Sequence, residues 1–182
     1  MPLITSSGYS AKGAFRNTFF NTVYPALFRS VPEVEYERER IVTADQDFLD
    51  LDWSRVGSKR LLLTLHGLEG QSDRAYIRGM IRHFNRQGWD GVAINYRGCS
   101  GEPNLQLQSY HMAATGDVHH VIKYLEKQAK YEELVVVGFS LGGNLTLRLL
   151  AEVAHRPPAI LKAAVAFSVP CDIATANVEI HR

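Results

Sequence analysis

One serine in this chain stands where its hydroxyl could act as a nucleophile. Ser140 is the centre of Gly138-Phe139-Ser140-Leu141-Gly142, with Gly143 behind it and the apolar run Leu134–Val137 in front. The run reads as a short buried strand, and the pattern through Leu150 reads as a helix. A strand that becomes a helix across so sharp a turn crowds its flanking positions, and β-carbons there would clash, which accounts for the glycines. The turn also forces the serine into a strained backbone geometry and lifts its hydroxyl clear of the sheet. It places that hydroxyl at a helix N-terminus, where negative charge is favoured. The Leu141 amide then points to where an oxyanion would form on an attacked carbonyl. This is the arrangement called a nucleophile elbow. The plainer reading is a strand-to-helix turn with a capping serine; the strand before and the helix after favour catalysis.

A serine nucleophile needs a base and an acid. His111 lies in a long loop and reads as a hydrogen-bonded loop anchor before a general base. His83, His119, His120 and His155 read as helical positions away from the strand ends. His181 lies beside the last residue, a poor place from which to hold a base in register. Asp172 follows the last strand and reads as the cap of a helix Ile173–Ile180, with a catalytic carboxylate as the alternative. Glu69 and Asp73 read as solvated loop residues, Asp117 as a cap or orienting group, and Arg97 as a donor to backbone carbonyls under the rim. Cys99 has no partner that would mark it as a reactive thiolate.

The elements that must position these groups follow from periodicity. Met1–Gly13 reads as a loose lead-in. Ala14–Phe28 places aromatic and aliphatic residues at helical spacings, with Pro25 able to bend or break it. It reads as a helix covering core, with a membrane-touching or lid helix as the alternative. Glu33–Val42 and Phe48–Trp53 alternate and read as an antiparallel hairpin at a sheet edge, its charges ordinary solvated surface. Strands follow at Leu61–His66, Gly91–Tyr96, Leu134–Val137 and Ala159–Phe167, separated by helices near Ala75–Gln87, Gly116–Lys130 and after the elbow. Such alternation predicts an α/β fold: a mainly parallel sheet with helices on both faces. The loops after His66, Tyr96, Phe139 and Phe167 then meet at one edge, where sites in such sheets lie. Residues 1–182 read as one domain, a helical extension over 1–32 and a sheet core over 33–182. Hydrophobic residues make up 46% and the net charge is +1, which argues against disorder and a nucleic-acid surface. No apolar run is long enough to span a bilayer and no signal-peptide pattern opens the chain. Cys99 and Cys171 have neither metal nor disulfide spacing, so a cytoplasmic protein without metal or cofactor is expected.

The chain resembles the α/β-hydrolases, and within them the YheT-like branch related to the animal ABHD1/ABHD3 group of predicted esterases. The resemblance rests on Asn21–Arg29, His66-Gly67-Leu68-Glu69-Gly70, Asn95–Gly101, Tyr110-His111, Asp117, Gly138–Asn144 and Ser168–Asp172. It implies a carboxylic-ester hydrolase with Ser140 as nucleophile and the backbone amides of Leu68 and Leu141 as its oxyanion hole. It implies that His66 and Gly67 shape the oxyanion loop, and that Gly138, Gly142 and Gly143 shape the elbow. His111 and Asp172 stand behind the site. Ala113 replaces a glycine usual in the family. The family's order is Ser, then acid, then His, and this chain ends before the strands that would carry the last two. It therefore reads as an α/β-hydrolase-like domain with its C-terminal strands missing, close to inactive by itself. The alternative is a catalytically silent binding module. The expected partner is a small-molecule ester, with an apolar acyl group suggested by the aromatic helix, and the open edge strand suggests a homodimer.

Overall fold

Alternating apolar runs build a six-stranded sheet. The computed structural model describes residues 4–180. A 3-10 turn, Gly13–Arg16, leads into α1 (Thr18–Phe28); the hairpin β1 (Glu37–Val42) and β2 (Phe48–Ser54) follows. Then come β3 (Arg60–Leu65), α2 (Ala75–Asn85), β4 (Asp90–Asn95), α3 (Thr115–Lys127), β5 (Glu133–Phe139), α4 (Leu141–Glu152), β6 (Leu161–Phe167) and α5 (Ile173–Ile180). The strand order is β1-β2-β4-β3-β5-β6. β1 and β2 pair antiparallel, as do β2 and β4, and the remaining pairs are parallel. The C-terminal ends of β3 to β6 thus share one edge.

Period-two alternation along the strands divides the core. Leu61, Leu63 and Leu65 of β3 join Val92, Ile94, Leu134 and Val136 in a cluster with α3 and α4 residues such as Val121, Ile122 and Leu145. Leu62, Ala93 and Val137 face the other way, onto Ile77 and Ile81 of α2. Helices therefore cover both faces, as the sequence predicts.

Two expectations fail. The first concerns the charges of the hairpin: Glu33, Glu35 and Glu37 are exposed as expected, but the acids of β2 are not. Asp50 and Asp52 are 1% and 0% exposed. Arg40 sits opposite Asp50 in register and Arg38 opposite Asp52. Each guanidinium grips its carboxylate with two bonds of 2.7–2.9 Å. Burial, the largest single influence, pushes both carboxyl pKa values up, but bonds from the arginines together with Ser100 at Asp50 and Ser72 and Asn95 at Asp52 outweigh it and hold them below the usual range. Pairing across the strands thus makes burial of an acid tolerable.

The second is the core-covering helix over 14–28. The segment divides at Asn17, whose Oδ1 accepts from the Phe20 N–H at 3.0 Å and caps α1. Pro25 lies within α1 without ending it, and the Arg29 N–H donates to the Pro25 carbonyl at 3.2 Å. No residue of α1 is buried. Its aromatic rings pack on one another instead: Phe20 on Tyr24 at 4.9 Å, and Tyr24 on Phe28 at 5.1 Å. The i,i+4 spacing that looks like a core stripe is met within the helix itself.

Candidate active site

β5 turns into α4 at Ser140, which has φ 53° and ψ −114°. A non-glycine residue held there stores on the order of 1–3 kcal/mol of strain and persists only where its surroundings fix it. Here the Ser140 N–H donates to the Phe167 carbonyl at 2.9 Å, and the Ser140 carbonyl accepts from the Asn144 N–H at 3.0 Å. A β-carbon at Gly138 would overlap the Gly142 carbonyl, and one at Gly142 would lie 2.6 Å from the His66 carbonyl oxygen. At Gly143 it would sit 2.8 Å from Val169. All three glycines are therefore required by close approach. Ser140 holds the N-cap position of α4, yet its side chain makes no capping bond. The plain capping role is thus not the one it plays. Ser140 is exposed and lines a cleft of about 320 Å³ with Gly67, Leu68, Tyr76, Phe139 and Phe167.

The facing wall is the loop after β3. Its amides are taken one by one. Gly67 N–H donates to Tyr76 Oη at 3.1 Å, Glu69 N–H to Tyr110 Oη at 2.9 Å, and Gly70 N–H to the Gly67 carbonyl at 3.1 Å. Of residues 67–70, Leu68 alone has an N–H with no partner among the described residues. Further along, Ser72 donates its N–H to Asn95 Oδ1 at 2.9 Å and its hydroxyl to the buried Asp52. Tyr36 Oη donates to its carbonyl at 3.0 Å.

His66 lies beneath this loop, 1% exposed. Its Nε2 accepts from the Tyr96 N–H at 3.4 Å, so Nδ1 carries the proton and donates to the Gly67 carbonyl at 2.7 Å. Burial lowers its pKa to about 4, against a smaller upward pull from the Gly67 bond. Both ring nitrogens are engaged, and the ring is a brace for the loop rather than a base. The Tyr96 ring packs 4.2 Å from it, with its hydroxyl buried and unpartnered among the described residues.

The other candidates separate clearly. His111 is exposed, and its Nδ1 accepts from the Ala113 N–H at 3.1 Å, a loop anchor. Asp172 accepts from the Thr175 N–H at 3.2 Å and caps α5. Arg97 corrects its expectation: it donates to the carboxylates of Asp117, Asp45 and Asp47 at 2.6–3.3 Å rather than to carbonyls. Asp117 thereby ties the start of α3 to that network. His119 pairs with Glu152 at 2.8 Å and His83 contacts Gln87 at 2.8 Å. His155 lies in the turn after α4, not on a helix. His181 falls outside the described residues. Among the described residues no histidine or carboxylate bonds the Ser140 hydroxyl. Sequence reasoning missed Tyr76, Asp52 and Asn95 as loop holders, because none carries a local signal.

Comparison with known proteins accords with this fold. A family model described as the alpha/beta hydrolase fold matches residues 60–177. YheT of Escherichia coli, named as a candidate esterase, is 34% identical over 170 residues, which is 91% of this chain and 49% of that protein. Phospholipase ABHD3 of Homo sapiens is 30% identical over 177 residues, 92% of this chain and 42% of that protein. The chain thus spans about half the length, or less, of these relatives. Among solved structures, the Pyrococcus furiosus esterase Pf2001 superposes with a TM-score of 0.71 at 23% identity, covering 82% of this chain and 55% of that one.

Proposed function

This chain belongs to the alpha/beta hydrolase fold family, and from that premise we propose that it carries the nucleophile and oxyanion hole of a carboxylic-ester hydrolase. Ser140 Oγ attacks the ester carbonyl, and the amides of Leu68 and Leu141 hold the negative charge of the tetrahedral intermediate. The alcohol leaves, an acyl-serine forms, and water releases the acid. The observation that carries this reading is the pairing across one cleft: a strained, exposed, uncapped serine and a loop whose Leu68 amide is left free. The Ser140 proton would pass to a histidine that is not among the described residues. Leu68, Tyr76, Phe139 and Phe167 line the cleft and favour an apolar acyl group. The names of the relatives, an esterase and a phospholipase, support an ester as substrate. The free thiols Cys99 and Cys171 support a reducing compartment such as the cytoplasm.

Fluorophosphonate labelling tests the assignment. The probe should modify Ser140 and leave the Ser140→Ala variant unmodified; undiminished labelling of that variant refutes it.

One observation favours a second reading, a binding module that keeps the fold without turnover: no described histidine reaches Ser140. Removing a triad member typically leaves only about 10³ to 10⁴ of acceleration over water. Ester turnover by this chain that vanishes in Ser140→Ala would exclude the silent module.

A further inference from the structure

The Ser140 cleft does not end at Tyr76. Leu68 and Tyr76 also line a second, larger cavity of about 490 Å³, between α1 and the first turn of α2. Its lining joins the apolar Pro25, Ala26 and Ala75 with Arg29, Arg74 and the exposed Glu69. The same two arginines continue into a third hollow of about 340 Å³ with Arg78. Leu68 and Tyr76 are thus shared by the Ser140 cleft and by a cavity whose lining carries guanidinium charge.

That charge is not neutralised by an ion pair among the described residues. Arg38, Arg40, Arg55, Arg82, Arg86, Arg97 and Arg148 each lie within 4.0 Å of a carboxylate. Arg29 and Arg74 have no ion pair among the described residues. Arg74 spends one nitrogen on the Glu69 carbonyl at 3.2 Å. Arg78 is held by the carbonyls of Val31 and Val34, which leave its charge intact. The nearby acids, Glu69 and Asp73, are exposed and pair with none of the three. Glu69 also lines a separate cleft on the Cys99 and Tyr110 side of its loop.

A glycine makes room for one of these charges. Gly79 lies inside α2, where glycine costs about 1 kcal/mol relative to alanine. A β-carbon there would sit 2.8 Å from the Arg29 guanidinium. The Arg29 guanidinium thus lies alongside α2 at this position.

We propose that this groove is an anion subsite of the Ser140 cleft, taking the carboxylate or phosphate end of an amphiphilic ester whose apolar stem runs past Leu68 and Tyr76. The inference deepens the ester-hydrolase reading and rests on it for the word ester. The binding site itself is testable without turnover. Arginine pairs suit carboxylate and phosphate because their planar donors engage two oxygens at once.

Calorimetric titration at low salt compares octyl phosphate, neutral octyl glucoside and inorganic phosphate. Octyl phosphate should bind at least about tenfold tighter than either, so that both the charge and the stem count. The Arg29→Gln/Arg74→Gln double variant should lose the preference over octyl glucoside, and the exposed control Arg156→Gln should keep it. Vesicles containing phosphatidic acid separate the sources of the anion: binding that disappears in the double variant assigns a lipid headgroup, and octyl phosphate binding alone assigns a soluble amphiphile. Equal binding of phosphate and octyl glucoside, a preference that survives the double variant, or vesicle binding without octyl phosphate binding would each overturn the subsite. Fluorophosphonate labelling keeps the two proposals apart. Labelling without anion preference sinks the subsite alone, and anion preference without labelling sinks the ester-hydrolase reading alone.

Discussion

At the residue scale two tyrosines hold the loop that faces Ser140. Tyr76 and Tyr110 accept the N–H groups of Gly67 and Glu69, on either side of Leu68. They fix the peptide planes that aim the remaining amide. Removing one such bond costs about 1 kcal/mol, so Tyr110→Phe should slow fluorophosphonate labelling of Ser140 about fivefold while leaving the melting temperature within a few degrees. An unchanged rate would show that the Glu69 bond does not orient the loop. His66 makes a different prediction. Its folded pKa of about 4 lies below the unfolded value of about 6.5, because burial disfavours the charged ring. The unfolded chain therefore binds the proton first as pH falls. Stability is at its full value above about pH 6.5 and declines toward about pH 4. Urea unfolding at pH 7 and pH 4.5 should show this loss in the wild type and a smaller one in His66→Asn. Equal losses would remove His66 as the cause.

At the scale of elements, the turn from β5 to α4 is fixed by contact distances rather than by turn propensity. A methyl group at Gly138 would overlap both the Gly142 carbonyl and the Thr146 hydroxyl, and all three are buried in rigid structure. Gly138→Ala should cost about 3 kcal/mol or more, enough to make the protein insoluble or to lower its melting temperature sharply. A variant that melts with the wild type would mean that the elbow is looser than its geometry. The hairpin supports the same site from behind. Arg38 holds Asp52, Asp52 holds Ser72 and Asn95, and Ser72 anchors the far end of the loop that presents Leu68. The alternation of Arg and Asp was legible along the chain. That the acids of β2 would be buried opposite the arginines of β1 was not, because it depends on which strand lies on the far side of β2.

At the scale of the whole molecule, β6 forms one edge of the sheet and leaves Val165 and Phe167 43% and 42% exposed. An unpaired edge with apolar side chains invites pairing with a second copy, and a two-fold axis would make that pairing antiparallel. We therefore expect sedimentation to show a concentration-dependent dimer that Val165→Lys disperses; a monomer at every concentration rejects the edge as an interface. The same scale marks the boundary of sequence reasoning. The sharp strand-to-helix turn at Ser140, the order of strands and helices, the apolar faces of α2 and α3 and the cap at Asp172 were all written in the chain, because each depends on sterics or hydrogen bonding within a few residues. Tertiary structure alone decided that α1 packs its rings on itself, that Asp50 and Asp52 are buried, and that the Leu68 amide has no partner among the described residues. Those outcomes depend on which distant groups exclude water from one another: Tyr110 meets Glu69 across 41 residues and Asn95 meets Asp52 across 43. Local periodicity carries no record of such pairings, since desolvation is settled only when the segments meet.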